Sequence, residues 1–136
     1  MADILLLDTS AIMAFLEDEP GADQVQAALG QAVQVRSIIY ASFVSLTEVE
    51  YITRQERGEQ VSQERSSSLQ KLPIQWIHSD DTLCSAAAKL KATHRISFAD
   101  SFVAATAMSL DATLIHKDPE FNALAATIKQ MMLPPK

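Results

Sequence analysis

The chain of 136 residues contains one cysteine, Cys84. A single cysteine excludes an intrachain disulfide framework and any multi-cysteine metal site. It fits a reducing compartment. Long apolar runs are missing too, since no stretch approaches the ~18 consecutive apolar residues of a membrane span. The segment Met1-Ala2-Asp3-Ile4 has no basic region, and the apolar run after it stops at Asp8. A signal peptide is therefore not expected, and a cytoplasmic protein without membrane contact is. Basic residues are outnumbered, eleven against seventeen acids, for a net charge of −6. Taken alone, that argues against a nucleic-acid or anionic-membrane partner, because phosphate attraction needs positive charge. There is no internal repeat, low-complexity tract or linker. What remains is a chain of one-domain length with an ordinary 48% hydrophobic content. Residues 1–133 are expected to form the domain, and Pro134-Pro135-Lys136 a disordered tail.

Ile4-Leu5-Leu6-Leu7 is wholly apolar and ends at Asp8-Thr9-Ser10, the pattern of a buried parallel strand. Helical spacing follows over 11–17 and about 22–32, with Gly30 marking the second helix's end. A β-branched and aromatic run over 35–40 predicts a second strand. Helices are expected over 44–57, with Gly58 as C-cap, and over 60–71. Ile74-Gln75-Trp76-Ile77 is a third strand, placed at an edge. Helices over 82–93 and 98–109 are expected to be capped by Asp80 or Asp81 and by Ser97. Ala112 to Ile115 is a fourth strand, Pro119 opens a further helix, and residues 128–133 supply a fifth, edge strand. Trp76 and Cys84 are expected in the core. This alternation predicts an α/β domain, a central parallel sheet of four to five strands with helices on both faces.

In open parallel sheets, functional groups gather beyond the C-terminal strand ends, near the point where strand order reverses. Asp8 directly follows the first strand, and Asp118 follows the fourth. Glu48 lies early in the helix after strand two, and Asp100 lies in the first turn of the helix before strand four. Singly, each has a capping explanation. Ser45-x-x-Glu48 matches a capping box, and Ser97-x-x-Asp100 is its weaker analogue. Asp118 precedes a proline at a first helical position, and Asp8 can cap the first helix. Their shared location is a different matter. Four carboxylates at one sheet edge repel, and a hard divalent cation, Mg²⁺ or Mn²⁺, is the usual reason for tolerating them.

Four segments then resemble a known family. They are Leu6-Leu7-Asp8-Thr9-Ser10-Ala11-Ile12, Ser45-Leu46-Thr47-Glu48-Val49, Ser97 to Ala107 around Asp100, and Lys117-Asp118-Pro119-Glu120-Phe121. Together they are similar to the four motifs of PIN-domain ribonucleases, most of all the VapC toxins of prokaryotic toxin–antitoxin pairs. The resemblance implies a PIN-like nuclease domain that hydrolyses RNA phosphodiester bonds with Mg²⁺ or Mn²⁺. It implies Asp8, Glu48, Asp100 and Asp118 as the catalytic, metal-binding acids, and Ser10 as a supporting hydroxyl. It also implies a cognate antitoxin protein and a homodimer. One position departs: the family usually has Thr or Ser two residues before the last acid, and here it is His116. That histidine can hydrogen-bond a carboxylate or point away.

Candidate phosphate contacts are Arg95 and Lys117, which lie closest in sequence to the acids, with Lys89, Lys91, His94, Arg54 and Arg57 further off. Such contacts set position rather than base identity, and solvated helix faces explain them as well. Setting the four acids aside leaves thirteen against eleven bases, so the acidity does not exclude RNA. Two other classes stand beside the nuclease: a non-catalytic PIN-like module that binds RNA or protein, and a phosphoryl-transfer enzyme on the same sheet. A haloacid-dehalogenase-like phosphatase wants an aspartate where Ser10 stands.

Overall fold

The computed structural model describes residues 2–136; Met1, the first residue of the expected domain, lies outside them. Five strands form one sheet: β1 Asp3–Leu7, β2 Ser37–Ser42, β3 Ile74–Ile77, β4 Thr113–His116 and β5 Gln130–Met132. Their spatial order is β3-β2-β1-β4-β5, and every pairing is parallel. The chain therefore winds one way from β1 to β3 and the other way from β1 to β5. The reversal falls between β1 and β4, where Leu5, Leu6 and Leu7 pair with Thr113, Leu114 and Ile115.

Six helices cover the sheet: α1 Thr9–Leu16, α2 Ala22–Val33, α3 Phe43–Arg57, α4 Glu59–Gln70, α5 Asp81–Thr93 and α6 Phe98–Leu110. Successive β1 side chains point to opposite faces, and both faces are buried. Leu5 and Leu7 pack with Ile12, Val25, Leu29, Val49 and Leu69 from α1 to α4. Leu6 packs with Leu83, Leu90, Val103 and Phe121 on the other face. That is why β1 is apolar without alternation. Asp80, Ser97 and Asp118 cap their helices as expected, and Gly58 closes α3 at a φ of 91°.

Several local expectations fail for identifiable reasons. Strand two starts at Ser37, because Val35 sits in a turn with a φ of 59°. The α2 helix runs through Gly30 to Val33, and a Cβ at Gly30 would meet nothing within 4 Å, so that glycine is neither stop nor close contact. Pro119 opens a 3-10 helix, Pro119–Leu124, rather than an α-helix. Cys84 is exposed and Trp76 is half-buried against the core. Residues 134–136 form no helix or strand, yet Lys136 Nζ reaches Glu19 Oε2 at 3.0 Å. Just before them, Leu133 closes on Gly21, where an added Cβ would stand 2.9 Å from Leu133 Cβ. Among the described residues no helix is long and apolar enough to cross a membrane.

Candidate active site

The C-terminal ends of β1 and β4 carry the acids. Asp8 directly follows β1, and its backbone N–H extends the sheet ladder to Ile115 O at 3.0 Å. It is 4% exposed and caps α1 through a 3.2 Å bond from Ser10 N–H to Oδ2. The same Oδ2 accepts from Ser10 Oγ at 2.5 Å. Ser10 Oγ in turn accepts from Lys117 N–H at 2.9 Å. One hydroxyl thus ties the end of β1 to the segment that delivers Asp118.

Glu48 arrives by a route that local sequence does not show. The capping-box expectation for Ser45 and Glu48 fails, since α3 is capped by Ser42, whose Oγ accepts from Val44 N–H at 3.2 Å. Glu48 sits in the second turn of the helix, facing α1. Thr9 Oγ1 donates to Glu48 Oε1 at 2.6 Å. With its proton so placed, Thr9 accepts from Ser45 Oγ at 2.8 Å.

Asp100 lies in the first turn of α6, where its N–H donates to the Ser97 cap at 3.2 Å. It is 8% exposed. Asp118 caps the 3-10 helix and accepts from Glu120 N–H at 2.9 Å. Carboxylate oxygens of Asp100, Asp118 and Glu120 all lie within 4.8 Å of one another. Glu120 has no assigned role in the sequence reading. Its Oε1 accepts from Ser97 N–H, joining the caps of α6 and the 3-10 helix. The signal available in the sequence was its place two residues beyond Asp118, after a proline that starts a turn.

The charges behave as an unneutralised group. Burial, then the charge of Asp8, then a hydrogen bond and charge from Asp118, push Asp100 up to about 8. Burial also raises Asp8, with Glu48 and Asp118 adding to it, while the two Ser10 bonds oppose the rise. Among the described residues no lysine, arginine or histidine pairs with any of these five acids. Hard oxygen donors, converging without a fixed cation, fit a small divalent ion.

The remaining candidates divide. His116 is fully buried, with Nδ1 accepting from Asp118 N–H at 3.0 Å and Nε2 bonded to Gln130 at 2.8 Å. Neither ring nitrogen is left for a metal. Lys117 Nζ is buried without a hydrogen bond, 3.5 Å from Glu19 Oε1, so its ammonium neutralises Glu19 rather than facing solvent. Arg57 is held by Glu17 through two bonds, Nε to Oε1 at 2.9 Å and Nη2 to Oε2 at 2.5 Å. Arg95 is exposed, two residues before the Ser97 cap, and pairs with no acid among the described residues.

A parallel sheet with acids gathered at its switch point defines a class, and the sequence agrees with it. The family profile of the PIN domain matches residues 5–126, and the chain belongs to that family. The solved structures similar in fold narrow the picture. VapBC2 from Rickettsia felis, bound to a promoter DNA fragment, superposes with a TM-score of 0.75 at 14% identity, over 96% of this chain and 99% of that one. DNA-bound VapBC from Salmonella typhimurium gives 0.76 at 13%, over 97% and 98%. VapC20 from Mycobacterium tuberculosis, a toxin that cleaves the sarcin–ricin loop, gives 0.68 at 16%, over 96% and 99%. No curated protein matches the chain by sequence.

Proposed function

We propose that the protein is a Mg²⁺- or Mn²⁺-dependent endoribonuclease, the toxin of a VapBC-type toxin–antitoxin pair acting in the cytoplasm. The observation that carries this is the convergence of buried acids with no fixed cation at the β1/β4 switch point. Asp8, Glu48, Asp100 and Asp118 are the groups that would hold the ion and orient the attacking water. Ser10 fixes Asp8 against the Asp118 segment, and Thr9 orients Glu48. When bound, the metal supplies Lewis-acid polarisation of the phosphate and makes a water nucleophilic near neutral pH. Arg95, exposed and two residues before the Ser97 cap, is the candidate to position a phosphate. Glu19 holds Lys117, so that residue's contribution is through its backbone bond to Ser10. The partners in this reading are an RNA substrate, an antitoxin like those in the similar VapBC complexes, and a second copy in a homodimer.

RNA cleavage by the purified protein tests it. Cleavage is expected with Mg²⁺ or Mn²⁺, and loss of it with EDTA or in Asp8→Asn. Cleavage that survives both would overturn the reading in favour of a contaminant or another mechanism.

A further inference from the structure

His116 is the one buried titratable group at this sheet edge that the proposed chemistry does not use. It is also the largest polar side chain that is fully buried. Its surroundings are apolar on one side: its ring meets that of Phe121 edge-on, with centroids 4.9 Å apart and planes at 61°. Both nitrogens nevertheless have a partner, and the partners fix which nitrogen carries the proton. The amide of Gln130, on the edge strand β5, donates from Nε2 to Phe121 O at 2.9 Å. That leaves Gln130 Oε1 facing His116 Nε2 at 2.8 Å. An amide oxygen only accepts, so His116 Nε2 carries hydrogen. The lone pair is then on Nδ1, where Asp118 N–H donates at 3.0 Å.

The result is a directed series of bonds from Asp118 N–H to His116, from His116 to Gln130, and from Gln130 to Phe121 O. It starts on the backbone of the last acid and ends in the 3-10 helix which that acid caps. A reversed amide would turn the ring to the other tautomer and leave two N–H groups opposed at Asp118. Buried polar groups have no water to turn to, so such a reversal is costly.

We propose that His116 and Gln130 are a positioning pair, which sets the backbone of Asp118 and thereby the aim of its carboxylate toward Asp100. The inference rests on the metal-nuclease reading for its consequence but not for its geometry. Loss of outer bonds of this kind typically weakens metal affinity by about 10- to 100-fold.

Two measurements on the full chain test it. Nitrogen-15 NMR of the metal-free wild type should show His116 as the Nε2–H tautomer; the Nδ1–H tautomer overturns the proposal. Calorimetric Mn²⁺ titration should show binding about tenfold weaker in Gln130→Met. Gln130→Met leaves the buried His116 Nε2–H without its acceptor, so the metal-free melting temperature should fall as well. A lower melting temperature with unchanged Mn²⁺ affinity would mean a purely structural role and overturn the proposal. If the wild type binds no Mn²⁺, the nuclease reading falls while the tautomer result still decides the pair.

Discussion

Two acidic regions of this molecule lie within one helix length of each other and have been resolved in opposite ways. At the strand ends, Asp8, Asp100, Asp118 and Glu120 face one another, and Asp100 is driven up to about 8. Beyond the end of α1, Glu17 and Glu19 face four cations. Arg57 and Arg65 bond Glu17 and hold it down at about 2, and Lys117 and Lys136 flank Glu19. The second region carries its own counter-charges and is complete as folded. The first does not, and its carboxylates repel until something from outside neutralises them. The same residue type is architecture in one place and, in the proposed function, a receptor for a cation in the other. Net charge could not tell them apart, since both contribute to the −6.

The sharpest way to break this contrast is through catalysis. Asp100→Asn should lower metal-dependent RNA cleavage by about 100-fold or more, while Glu17→Gln leaves it within a few-fold. Initial rates on a defined RNA measure both. Next comes metal itself. Mn²⁺ at about 100 times its dissociation constant should stabilise the wild type by about 2.7 kcal/mol and leave Asp100→Asn nearly unmoved in thermal melts.

The third separation is by pH, with opposite signs. Asp100 keeps its proton in the folded state where the unfolded chain has lost it. Metal-free stability should therefore decline as pH rises from about 4 toward 8, and Asp100→Asn should flatten that slope. Glu17 behaves in reverse: its contribution is present above its usual 4.5 and is lost as pH falls toward about 2. Melting curves across pH, with and without EDTA, check both. The smallest effect is on stability at neutral pH. Glu17→Gln should cost about 1 kcal/mol, because Arg65 is mostly buried while Arg57 is half exposed. Denaturant unfolding reads it.

Much of the fold was legible because both faces of the sheet are covered. β1 appears as a short apolar run bounded by polar residues, and the caps at Asp80, Ser97 and Asp118 are local bonds that local sequence records. The site was legible to the same depth: Asp8, Asp100 and Asp118 stand at element ends. Glu48 was singled out by its place after strand two, and the capping box that was its bland alternative does not form. β2 passes into α3 with no loop, so the helix begins earlier and Glu48 faces Thr9 from the second turn. Thr9 is 39 residues away, and no local pattern encodes that pairing. Gln130 was invisible for the same reason, as was the pairing of Lys117 with Glu19. An ammonium beside an acid in sequence looks like part of the site until the fold turns it elsewhere.

The strand order has a consequence in time. The acids stand at positions 8, 48, 100 and 118, and the residue that sets the last of them is Gln130. β1, the earliest of the five strands in the sequence, occupies the middle of the sheet, and the neighbour that completes its functional edge is β4. Until residue 117 has emerged, Asp8 lacks its full set of supports, the ladder partner at Ile115 and the Lys117 amide that anchors Ser10. A growing chain therefore cannot assemble the site piecemeal. The site needs β1 and β4 in place together, so a chain that stops short of β4 cannot hold it.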